Sequence, residues 1–121
     1  MAVTSEYVTY VVDQLGEFGA VTARRMFGGA GLYHEGLFFG LIADDCLYLK
    51  VDESNRPDYE SAGCKPFRPF PEGKNYAMGF YEVPGNVLED PEVLARWAAK
   101  AHEVAQRKGR KGKRAGRGRK T

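Results

Sequence analysis

Between Arg107 and Thr121 the chain places Arg107, Lys108, Arg110, Lys111, Lys113, Arg114, Arg117, Arg119 and Lys120, nine cations with no acidic residue among them. This composition suits one task above others: it pairs with phosphates and releases their condensed counterions, an interaction that carries no base information. Interleaved glycines let the segment follow a groove or backbone, and the lack of aromatic residues removes base stacking as a source of affinity. DNA and RNA are equal candidates as partners. The rest of the chain has the opposite sign: residues 1–106 hold the other nine Lys and Arg against all 16 Asp and Glu, a formal charge of −7. Phosphates repel such a domain, so it is expected to face away from nucleic acid and to meet a protein partner. The competing readings of the basic segment are a solubilising end, one that folds back on its own acidic domain, or one drawn to acidic proteins or anionic membrane surfaces.

Other reactive side chains are few. Cys46 and Cys64 lie on separate predicted elements and belong to no Cys-x-x-Cys or Cys/His cluster, which leaves too few ligands for a zinc site and predicts two small part-buried thiols. His34 falls in a predicted turn and His102 on the last helix; both are expected to be ordinary solvated histidines. Asp44-Asp45 reads as a turn pair, because aspartate tolerates turn geometry and bonds to its own backbone. Gly28, Gly29 and Gly31 have the composition of a phosphate loop, but a strand follows them instead of a helix, so a bulge or a close backbone approach is expected. Arg24 and Arg25 are adjacent on a predicted strand and should point to opposite faces.

These groups must be positioned by a scaffold of 121 residues, enough for one domain with a core that needs no metal or disulfide. Residues Arg24 to Val51 organise it. Three aromatic and β-branched runs, separated by a His34-Glu35-Gly36 turn and an Asp44-Asp45 turn, read as an antiparallel meander. Before it, Thr4 or Ser5 caps a helix whose Tyr7, Val8, Val11, Val12, Leu15 and Phe18 recur at three- and four-residue intervals, ending near Gly16 or Gly19. After it, Asp52 to Gly63 reads as a short helix or ordered loop. Phe67, Phe70 and prolines 66, 69 and 71 read as an edge strand, and Tyr76 to Val83 as a further strand ended by Pro84-Gly85. Asp90-Pro91-Glu92 starts a last helix with Val93, Leu94, Trp97, Ala98, Ala101 and Val104 on one face, reaching about Gln106. Beyond it the basic segment lacks apolar periodicity and is expected to be a disordered tail.

The run Thr22-Ala-Arg-Arg-Met-Phe-Gly-Gly, the following Gly31-Leu-Tyr, the Leu47-Tyr-Leu-Lys strand with Asp52 after it, Tyr81 to Pro84, and the Leu94 to Ala101 helix together resemble the N-terminal domain of the TfoX/Sxy family. The resemblance covers roughly residues 5 to 105. It implies an α+β domain with an antiparallel sheet covered by helices, and a bacterial regulatory role. The best-known members promote natural competence by acting with the cyclic-AMP receptor protein at competence promoters. It implies no catalytic or cofactor-binding residues. Those regulators also carry a second, C-terminal domain, in whose place this sequence has the basic segment.

The reading that results is an α+β fold, an antiparallel meander covered by an N-terminal and a C-terminal amphipathic helix. Residues 1–106 form the domain and 107–121 a basic tail. The expected function is a non-enzymatic regulatory or adaptor domain with sequence-blind nucleic-acid affinity in the tail, no metal or cofactor, and a cytoplasmic home, since neither a membrane span nor a signal peptide is legible. Two alternatives predict different surfaces. A protein-interaction module, homodimeric or not, predicts an exposed apolar patch or sheet edge; a small-molecule or enzymatic domain predicts a pocket with convergent polar groups.

Overall fold

The computed structural model describes residues 4–26, 29–67 and 79–117, with side chains given for all of these except Met26 and residues 108–117. Helix α1 spans Ser5–Gln14, and a 3-10 turn, Leu15–Glu17, follows it. Thr4 is the N-cap, its hydroxyl accepting a bond from the Tyr7 amide at 3.1 Å. Val11 and Leu15 are fully buried, while Tyr7, Val8 and Phe18 pack at the core margin. The period-3.6 stripe is therefore a core face, as its spacing predicts.

The sheet has five strands in the order β1-β2-β3-β4-β5, every neighbour antiparallel: β1 Thr22–Met26, β2 Gly29–His34, β3 Leu37–Ala43, β4 Cys46–Lys50 and β5 Phe80–Glu82. The first of the three expected runs is thus two strands, with Met26 paired to Gly29 across the reversal. Phe27-Gly28, the two residues between that pair, are not the Asn-Gly, Asp-Gly or Gly-Gly that marks a two-residue hairpin, so the local pattern predicts one long strand. Close backbone approach holds at Gly29, where a Cβ would collide with the carbonyl oxygen of Ile42. Gly28 lies outside the described residues.

Both remaining hairpins turn through paired positive-φ residues, Glu35 (53°) with Gly36 (79°) and Asp44 (54°) with Asp45 (55°). That handedness matches the right-handed twist of the flanking strands. Asp45 has a second role: its Oδ1 accepts a bond from the Thr4 amide at 3.1 Å, tying the β3–β4 turn to the start of α1. A bulge in β3 sets Phe38 opposite Tyr33 and Gly40 opposite Leu32, leaving the intervening Phe39 fully buried in the core.

Asn55 and α2, Arg56–Ser61, make the short helix expected after β4. The edge expected at 66–71 is seen only at its start, where Phe67 donates its amide to the Phe80 carbonyl (2.8 Å) and Glu82 donates to Lys65 (3.1 Å). Positions 68–78 lie outside the described residues. Pro84, expected only to end the strand, also caps a short helix, α3, Gly85–Leu88.

Helix α4 begins at Pro91, where Asp90 Oδ1 accepts a bond from the Val93 amide (3.3 Å), and buries Leu94, Ala98, Ala101, Val104 and Ala105 against β3 and β4. Trp97 is only partly buried and meets Tyr59 of α2 edge-on, centroids 4.6 Å apart. The helix end expected near Gln106 is corrected: α4 continues to Arg117. Arg, Lys and Ala are good helix formers, and a helix already nucleated by its packed half extends without a further nucleation cost.

Candidate functional site

Arg107 is the first of the nine predicted nucleic-acid contacts and the one whose side chain the structure describes. Its guanidinium donates to Asp52 Oδ2 at 3.1 Å and to Ser54 Oγ at 2.8 Å. The acceptors stand in the loop after β4 for a local reason. Buried Asn55 accepts the Asp52 amide (2.9 Å) and donates to the Lys50 carbonyl (3.1 Å), so the loop is fixed before Arg107 arrives. Burial pushes the Asp52 carboxyl up, but bonds from the Ser54 hydroxyl and amide and the Arg107 guanidinium outweigh it and hold the group below its ordinary value. Lys100 makes a parallel contact two turns earlier on the same side of the helix, 2.9 Å from Asp58 Oδ2 of α2. The basic end of α4 thus begins fastened to the acidic domain. For Lys108, Arg110, Lys111, Lys113, Arg114 and Arg117 the backbone is helical; Arg119 and Lys120 lie outside the described residues.

The structure brings His34 and His102 together, against the expectation that both are solvated. His34 ends β2, and its Nδ1 donates to the Ala20 carbonyl at 2.6 Å; its imidazole fills space beside Gly19, where a Cβ would stand 2.9 Å from Cε1. His102, on α4, is 7% exposed and donates from Nε2 to the His34 carbonyl at 3.1 Å. The two rings meet edge to face at 4.8 Å, and Phe18 covers both, at 4.5 Å from His34 and 5.9 Å from His102. Glu35 stands outside the pair, its Oε2 3.8 Å from His34 Nε2. Sequence distance concealed this cluster: His34 and His102 occupy different elements, and only packing of α4 on the β2–β3 hairpin joins them. The one available signal was His102 continuing the apolar stripe beside Ala101.

Arg24 and Arg25 diverge as strand alternation requires. Arg25 Nη2 donates to Ser5 Oγ (3.0 Å) on the helical side, while Arg24 lies over the Tyr33 ring, 5.8 Å from its centroid, on the other. That second face is aromatic: Lys50 Nζ sits 5.5 Å from the Phe38 centroid and 4.9 Å from that of Phe80. Both thiols are disfavoured as thiolates. Burial first, then the Glu82 carboxylate, which accepts from the thiol, and the Asp44 and Asp45 charges push Cys46 up; burial and Glu82 do the same for Cys64.

The fold is that of a small α+β domain, one antiparallel sheet backed by helices on a single face. Residues 13–105 match the TfoX N-terminal domain, and the chain belongs to that family, as the pattern from Thr22 onward implies. Over 92 residues it is 28% identical to the DNA transformation protein TfoX1 of Aliivibrio fischeri, a match that covers 76% of this chain and 43% of that protein. The chain therefore spans less than half the length of the curated relative it matches. Among the described residues no helix is long and apolar enough to cross a membrane.

Proposed function

We propose that this chain is a non-enzymatic regulatory or adaptor domain of the TfoX family, working in the cytoplasm, whose segment from Lys108 to Lys120 supplies sequence-blind nucleic-acid affinity. The observation that carries the reading is the division of charge, −7 over residues 1–106 against nine cations in the last fifteen. Continuation of α4 to Arg117 supports it. Helical spacing puts positions 110, 113, 114 and 117 on one side and glycines 109, 112 and 116 on the other. Four cationic positions on one side of a helix suit a phosphate backbone. The acidic domain is left for a protein partner in transcription control, and the name of the Aliivibrio relative, a DNA transformation protein, agrees with a role near DNA. Thiols disfavoured as thiolates and a turn-bound aspartate pair favour the non-enzymatic reading.

Arg107 favours a second reading, in which the segment serves to neutralise the chain's own acidic surface, since that cation is already paired with Asp52. A salt titration separates the two. The full chain and one stopped after Arg107 are mixed with unrelated duplex DNA and single-stranded RNA fragments. Eight remaining cations predict a log–log salt slope approaching about −7 on duplex and about −5.5 on single strands, at roughly −0.9 and −0.7 per phosphate. The shortened chain should bind neither. Equal binding by the two chains, or none by the full chain at moderate salt, would count against the proposal.

A further inference from the structure

We propose that His34, His102 and Glu35 form a zinc site at the junction of α4 and the β2–β3 hairpin. One ring nitrogen of each histidine and a carboxylate oxygen of Glu35 lie within 4.8 Å of one another. Each imidazole places one nitrogen on a backbone carbonyl, His34 Nδ1 on Ala20 and His102 Nε2 on His34 itself, and His34 Nε2 stands 3.8 Å from Glu35 Oε2. A carbonyl only accepts, so in the neutral rings the protons reside on His34 Nδ1 and His102 Nε2, and the lone pairs on His34 Nε2 and His102 Nδ1. A ring anchored through one nitrogen, its tautomer fixed, with the other left as a donor, is how metal-ligating histidines are held.

Two imidazoles and a carboxylate form a set suited to zinc, whereas calcium and magnesium take oxygen ligands almost alone. At zinc bond lengths of about 2.0–2.2 Å, tetrahedral ligand atoms stand about 3.3–3.6 Å apart. The present spacing must therefore contract by up to roughly 1.5 Å. The histidines are confined by Phe18, Phe39 and Gly19, but the Glu35 side chain is 69% exposed and can swing inward. Glu35 holds its place through the positive φ of its turn, which sets it directly after His34 at the hairpin tip. An ion there fastens α4, the helix that runs on into the basic segment, to the sheet hairpin. Neither the charge division nor the family match bears on this site.

Calorimetric titration of the full chain with zinc chloride tests it. One ion per chain is expected, with binding weakened at least tenfold in Glu35→Gln, abolished in His102→Gln, and unchanged in the Cys46→Ser/Cys64→Ser double variant. Since His102 is buried and its replacement can disturb folding, the unaltered chain supplies an independent readout: zinc should shift the imidazole nitrogen resonances of both histidines. The proposal is overturned if the chain takes up no zinc, if uptake leaves both imidazoles unshifted, or if it survives Glu35→Gln at full strength and disappears with the thiols.

Discussion

Gly29 shows how narrowly one residue is constrained here. It sits in β2 opposite Met26, and the place of its missing side chain is occupied by the Ile42 carbonyl of β3. A backbone oxygen in a hydrogen-bonded strand cannot rotate aside as a side chain would, so a methyl group must push two strands apart. Gly29→Ala is expected to destabilise the domain by about 1–3 kcal/mol, the usual cost of overpacking, read as a lower urea midpoint at unchanged slope. An unaltered midpoint would mean that the sheet yields there. Asp45 is constrained in the opposite way. It accepts a left-handed backbone that costs most residues about 1–2 kcal/mol, and its side chain answers an amide at the mouth of α1. The sequence marks both residues as unusual and discloses neither neighbour.

At the scale of elements, α4 is held by two different kinds of contact. Its first half buries Leu94, Ala98, Ala101 and Val104; its exposed side reaches back through Lys100 and Arg107 to Asp58 and Asp52. These ion pairs are solvent-facing and therefore weak. Because the Asp52 carboxyl lies below its ordinary 3.8 in the folded chain, its contribution is complete above that pH and is lost as pH falls through the folded value. Arg107→Gln should accordingly reduce stability by about 0.5 kcal/mol at pH 7 and by progressively less as pH falls through the folded value, a comparison made by urea unfolding across the acid range. A deficit that persisted in acid would show that Arg107 acts through its aliphatic packing instead. The loop that receives Arg107 depends on Asn55, which bridges the Lys50 carbonyl and the Asp52 amide from a fully buried position. Nothing in Asp52-Glu-Ser-Asn identifies that bridge before the chain is folded.

Across the whole molecule, an acidic domain and a cationic helix are joined without an intervening linker. Past Arg107 like charges recur at helical neighbours, as in Arg107 with Lys111, Arg110 with Arg114 and Lys113 with Arg117, each opposing the helix by about 0.2–0.5 kcal/mol. Three glycines oppose it by roughly 1 kcal/mol apiece. This stretch is the weakest part of α4, and phosphates that neutralise it should strengthen it. Adding short duplex DNA to the full chain in low salt is expected to raise the far-ultraviolet helical signal, with reversal in ~0.5 M salt; a flat signal would show that charge repulsion does not limit the helix. By itself the sequence determined the α+β class, the meander turns at Glu35-Gly36 and Asp44-Asp45, the buried stripes of α1 and α4, the family and the charge division. All of these are set by spacing and composition over short stretches, where local periodicity reports directly which side of an element is buried. Only the tertiary structure decided that the first run is a hairpin, that α4 outlasts its apolar stripe, that Arg107 is paired with Asp52, and that His34 and His102 share a wall of Phe18. Each of these depends on which elements pack together, and no local pattern records the partner of a residue that lies far away along the chain.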